Sequence, residues 1–142
     1  MKFPLRFIVY LAGLFLLPLL PIQAFVKASG KAPASIVELT IPSYGQRMSG
    51  LAYLAKGTGP HPTMVLLHGY PGNEKNLDVA QAMRREGWNV IFFHYRGAWG
   101  SEGEFSFRGA EQDVQQVLAY LRDKKNAAHL RINPDMISLV GH

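Results

Sequence analysis

Three short, largely apolar runs constrain the fold most: Thr63–Leu67, Asn89–Tyr95 and Met136–Val140. Each is too short for a typical helix and shows no clean polar/apolar alternation, so each reads as a buried strand of a parallel sheet. Between them lie two stretches of helical period. In Asn73 to Glu86, Asn73 can serve as N-cap, Leu77, Ala80 and Met83 form an apolar stripe, and Gly87 is a C-terminal stop. In Gly109 to Lys125, the residues Ala110, Val114, Val117, Leu118 and Leu121 fall on one face, with Gln115, Gln116 and Arg122 elsewhere. Strand, helix, strand, helix, strand with short connections predicts an α/β fold, a parallel sheet with right-handed crossovers.

Ahead of this unit, Ile36–Ile41 and Met48–Ala55 read as an antiparallel strand pair, punctuated by Pro42, Ser43 to Gly45 and Lys56 to Pro60. The first 28 residues have another character. Lys2 and Arg6 precede an apolar run from Phe7 to Leu17, Pro18 and Pro21 interrupt it, and small residues follow at Ala24 and Ala28. That is the layout of a secretory signal peptide, so the chain is expected to be exported, periplasmic or secreted. The alternative is an uncleaved anchor, since residues 7–26 approach the roughly 20 residues of a spanning helix. Membrane contact is expected only through that segment. Residues 29–35 form a polar linker and residues 36–142 the folded domain. Loss of Lys2, Arg6 and Lys27 with the leader lowers the net charge from +5 to +2, and no basic run remains to argue for nucleic acid. With no cysteine, disulfides and thiol nucleophiles are excluded.

The terminal run is entered through Asn133-Pro134-Asp135 and ends in Gly141-His142. A strand that runs into Gly-His is how a G-x-S-x-G nucleophile elbow begins, with the serine expected at position 143. Upstream, His68-Gly69-Tyr70-Pro71-Gly72 follows another apolar strand, where the same architecture places its oxyanion loop. The segment Tyr95-Arg96-Gly97-Ala98-Trp99-Gly100-Ser101 lies between them in order. On these three elements the chain from about Ile36 onward resembles the N-terminal half of an α/β-hydrolase, of the exported prolyl-oligopeptidase-like or dienelactone-hydrolase-like kind. The resemblance implies an antiparallel strand pair followed by parallel strands with crossover helices, ending at the elbow.

It also implies roles. The backbone N–H of Tyr70 would be one oxyanion donor, and the other would come from residue 144. Two preorganised N–H groups aimed at the developing oxyanion supply much of the rate of acyl transfer. Gly69 and Gly72 let the loop turn without Cβ clashes, Pro71 fixes φ beside the donor, and the ring of His68 holds the loop. Gly141 and His142 flank the nucleophile, with His142 in a supporting role. Arg96 and Gly97 structure the second loop. Here the chain departs from the pattern: family members commonly carry an acid two positions before Arg-Gly, and this chain has His94. The structural ion pair of Arg96 is therefore in question. Trp99, Phe105 and Phe107 could either line a cleft or cover the top of the sheet.

His61 and His129 read as solvated. No histidine stands in a metal-ligand spacing, so no metal is expected, and Gly97, Gly100 and Gly103 do not make G-x-G-x-x-G, so no dinucleotide or other cofactor is expected. The expected partner of a completed site is a small ester, amide or peptide substrate. Two rivals stand beside this reading: an epoxide-hydrolase-like or dehalogenase-like chain with an Asp nucleophile, and a non-catalytic truncated product. Residues 1–142 lack nucleophile, acid and base, and are expected to be inactive alone. In the family's strand order Met136–Val140 lies beside Thr63–Leu67, with its other side unpaired, an edge prone to aggregation.

Overall fold

The computed structural model describes residues 32–70 and 72–141. The expected leader, the linker as far as Lys31, Pro71 and His142 lie outside the described residues. The elements in chain order are β1 (Ser35–Ser43), β2 (Gln46–Leu54), β3 (His61–Leu67), α1 (Leu77–Arg85), β4 (Asn89–Phe93), α2 (Phe107–Arg122), α3 (Lys124–Leu130) and β5 (Ile132–Gly141). They form one five-stranded sheet in the order β1-β2-β4-β3-β5. β1 and β2 pair antiparallel across Tyr44-Gly45, both at positive φ as a type I′ hairpin turn requires. β2 joins β4 antiparallel, and β3 lies parallel to both β4 and β5.

The core has two sides because β4 is buried along its whole length. Ile91 and Phe93 point with Val65, Ala52 and Ile41 toward Val117 and Leu121 of α2 and Leu130 of α3. Val90 and Phe92 point the other way, with Tyr53 and Leu66, toward Ala80 of α1. Burying each large apolar side chain contributes roughly 1.5–3 kcal/mol, so the central strands carry the fold. Asn89 is buried at the start of β4 but satisfied: its amide accepts from Ala55 N at 2.9 Å and donates to Leu130 O at 2.9 Å.

Strand ends shift by a few residues, and four larger differences separate the structure from the sequence expectation. α1 begins at Leu77, so Asn73 is no N-cap; Asn76 occupies that position in a left-handed conformation without a side-chain cap. The apolar stripe does not extend N-terminally past Leu77, and residues 73–76 carry the chain from the end of β3 to the helix. The second helix is two helices. Ser106 caps α2 by accepting from Gly109 N at 3.0 Å, and Asp123 ends it. Asp123 then accepts from Lys125 N and Asn126 N, starting α3, because a short acidic side chain satisfies exposed N–H groups best at a helix start.

The third difference is β5, which starts at Ile132 and runs through Asn133-Pro134-Asp135. The turn signal there appears as a register shift: His61 pairs with Ile132, but Thr63 pairs with Ile137. Pro134 is tolerated because β5 is an edge strand, which leaves one row of backbone groups outside the ladder. The fourth is burial. Met136 is 51 % exposed, Leu139 45 % and Val140 41 %, so β5 is not the buried strand its composition predicts. Among the described residues it has a neighbouring strand on one side only, and α1 and α2 cover the central strands instead.

Candidate active site

β3 and β5 run parallel with Leu67 opposite Gly141, so both strands leave the sheet at the same end. The loop that begins at His68 therefore starts beside the end of β5 at Gly141. The two backbones approach closely there. A Cβ on Gly141 would stand 3.1 Å from Leu67 Cβ and 3.3 Å from Leu67 O.

His68 is buried at the root of the first loop, 5 % exposed. Its Nδ1 lies 2.8 Å from Gly69 O; a carbonyl only accepts, so Nδ1 carries the proton. Its ring packs among Phe92, His94 and Tyr95, with the Tyr95 centroid 4.6 Å away. Gly72 folds back over this ring at φ +89, where a Cβ would stand 2.7 Å from His68 Nδ1. Only glycine fits that position, on two counts: the sign of φ and the space. Tyr70 lies between these anchors, 67 % exposed. Its ring stacks on Phe105 at 4.5 Å, with Phe107 beyond. Its backbone N–H donates to no group among the described residues.

The second loop is built around Arg96. Asp113 of α2, 1 % exposed, accepts from Arg96 N at 2.9 Å and from Arg96 Nε at 2.6 Å, and also from Ser43 Oγ at 2.6 Å. Arg96 Nη2 donates to Gln112 Oε1 and Gly109 O, and its guanidinium lies over the Tyr44 ring at 4.9 Å. The acid absent at position 94 is thus supplied from the helix, and Arg96 has its ion pair after all. Gly97, at φ +74, would bring a Cβ within 2.2 Å of Phe105 N. Ser101 Oγ donates to His94 O at 2.7 Å and accepts from Ser49 N. Arg47 pairs with Glu102 at the exposed margin, which raises the proton affinity of the arginine and lowers that of the carboxylate, chiefly through their side-chain hydrogen bond.

His94 sits behind His68, ring centroids 5.2 Å apart. Burial first, then the fields of His68 and Lys75, lowers its pKa to about 4, so it is neutral at pH 7. Burial, and then the charge of Asp113, raises the pKa of Tyr95. Trp99 is 60 % exposed at the lip of a cavity, while Phe105 packs against the core and Phe107 is open to solvent. His129 is exposed, but His61 is not merely solvated. Its two ring nitrogens contact Gly87 O at 3.0 Å and Gly57 O at 3.4 Å, bridging two glycine turns.

Asp113 is the site residue that inspection of the sequence missed. A signal was present: it stands three residues after Ala110 and four before Val117, a charge on the face that α2 buries. A carboxylate in that position has to be paired.

A mixed sheet whose parallel strands include β3, with a glycine-bearing loop after it and β5 ending beside it, defines a hydrolase-like α/β architecture. Solved structures place it further. An α/β hydrolase, GrgF, from Penicillium sp. matches 78 % of this chain and 37 % of its own at 21 % identity and a TM-score of 0.62. Est1E from Butyrivibrio proteoclasticus, solved with ferulic acid bound, matches 73 % and 42 % at 16 % identity and a TM-score of 0.62. XC6422 from Xanthomonas campestris, a serine hydrolase without a lid, matches 78 % and 51 % at 22 % identity and a TM-score of 0.58. No family profile and no curated protein matches the sequence. The chain has the α/β-hydrolase fold and spans about half or less of the length of these structures, as expected for the N-terminal half of the domain.

Proposed function

We propose that residues 36–142 are the N-terminal half of a serine hydrolase that acts by acyl transfer on a small ester, amide or peptide, and that the chain is exported by its first 28 residues. The observation that carries the reading is the pairing of Leu67 with Gly141, together with the N–H of Tyr70, three residues beyond Leu67, which is unclaimed among the described residues. A nucleophile following His142 would stand beside that donor. The carbonyl oxygen of the substrate would then accept from Tyr70 N–H as its charge develops, with the amide after the nucleophile as second donor. His68 and Gly72 position the loop, Gly141 and His142 the elbow, and Arg96 with Gly97 fixes the aromatic support under Tyr70. In this reading residues 1–142 alone do not turn over substrate, since the nucleophile, acid and base come from sequence beyond them.

The test has two parts. The coding sequence past codon 142 should give Ser; Asp would transfer the chain to the epoxide-hydrolase-like class, and any other residue would end the catalytic reading. In the protein extended through that serine and its triad partners, Tyr70→Pro removes the N–H and is expected to lower kcat about 10²–10³-fold. A loss of less than about tenfold would remove Tyr70 from the oxyanion site. Turnover of p-nitrophenyl acetate by the 142-residue chain itself, abolished by Tyr70→Pro, would contradict the proposal outright.

A further inference from the structure

On the α1 face of the sheet, beside His94, lies a cavity of about 330 Å³ whose lining includes Leu51, Phe92, His94, Lys75, Trp99 and Glu38. The proposed acyl-transfer chemistry does not use it. Its size suits a single-ring organic molecule, at the lower end of the range for small-ligand sites.

Three observations specify what it would hold. His94 is 93 % buried (7 % exposed), gripped edge-on by Phe92 at 4.9 Å and flanked by His68. Its Nδ1 is sealed from solvent and has no hydrogen-bond partner among the described residues. A buried N–H without an acceptor costs more than a buried lone pair without a donor, so the favoured tautomer keeps its proton on Nε2. That leaves Nε2–H as the group this lining residue can offer to a ligand. Lys75 makes no ion pair among the described residues, yet it is close enough to His94 to oppose protonation of the ring. A free ammonium and a neutral N–H donor at one end of a cavity match a carboxylate. Finally, Trp99 is held at φ 31 and lines the cavity as an exposed residue, beside Leu51 and Phe92. Such a wall takes a flat apolar body. Glu38 stands on β1, at the far edge of the sheet from the loop that carries Lys75, and disfavours an anion on its own side.

We infer that this cavity is a binding site for a small monocarboxylate with a flat apolar body, its carboxylate held by Lys75 and the Nε2–H of His94 and its body against Trp99 and Leu51. The inference does not depend on the hydrolase reading.

The full 142-residue chain is titrated with benzoate and with benzamide, its uncharged counterpart, following the indole N–H signal of Trp99 by NMR. Saturable benzoate binding is expected, with benzamide weaker by about tenfold or more, the factor that corresponds to 1.4 kcal/mol. Lys75→Met should weaken benzoate about tenfold and leave benzamide unchanged, and Glu38→Gln should tighten benzoate by a factor of about two. Equal affinity for the two probes, no saturation by tens of millimolar, or weaker benzoate binding in Glu38→Gln would overturn the site. Should Lys75→Met fail to fold, the two probes on the parent chain decide the matter alone.

Discussion

The loops after β3 and β4 leave the same end of the sheet, yet they are held there by different means. The second is tied by polar groups: Arg96 to Asp113, Ser101 to His94 and Ser49, Glu102 N to Arg47 O, and Gly97 N to Glu102 O. Among the described residues, the first is tied by the His68–Gly69 hydrogen bond and by packing, with Gly72 over the His68 ring and Tyr70 on Phe105. The loop proposed to do chemistry thus rests on the loop that is fixed. Charge-assisted hydrogen bonds impose direction and distance, whereas ring packing tolerates small shifts. A donor that has to meet a developing oxyanion gains from a rigid base and a local range of adjustment.

Three measurements test this contrast. The largest effect is expected from Asp113→Ala, which leaves Arg96 largely buried without its partner and Ser43 Oγ without its acceptor. A loss of about 3–5 kcal/mol in urea unfolding is expected, since removing one member of a buried pair strands the other charge. A loss below about 1 kcal/mol would mean that the second loop is not held by its polar ties.

Next is the pH dependence set by His94, at the root of both loops. Its pKa falls from 6.5 to about 4 on folding, mainly by burial. Between those values the unfolded chain binds a proton that the folded chain refuses. The contribution is full above pH 6.5, is lost as pH falls through the window, and levels off below about pH 4. The melting temperature of the parent should therefore fall more across this window than that of His94→Leu. Parallel curves would assign the dependence to other groups. The smallest effect is expected for Arg47→Ala, because the Arg47–Glu102 pair lies in solvent and exposed pairs add little. Its thermal midpoint should move least of the three, and a shift rivalling that of Asp113→Ala would erase the distinction between buried and exposed ties.

The two arms of the site were not equally legible in the sequence. Loop glycines announce themselves, and Gly72 and Gly97 occupy positions where a Cβ collides with a ring or with backbone. The partner of Arg96 did not, because the family pattern places the acid on the strand at position 94, whereas here it comes from α2, 17 residues after Arg96. Asn133-Pro134-Asp135 was equally misleading as a boundary: the local turn is real, with Asn133 Oδ1 accepting from Asp135 N at 3.1 Å, but the strand continues on both sides of it.

The order of strands and helices, apart from the break between α2 and α3, and with it the hairpin and the two glycine-bearing loops, follow from the sequence alone, since hydrophobic period and turn chemistry act over a few neighbouring residues. Which residues meet across the sheet does not. The Asp113–Arg96 pair, the neighbouring histidines at 68 and 94, the cavity beside His94 and the exposure of β5 depend on register and on the path of each crossover helix. Those are fixed only when all the strands pack at once, because a contact between distant residues takes its geometry from every element between them.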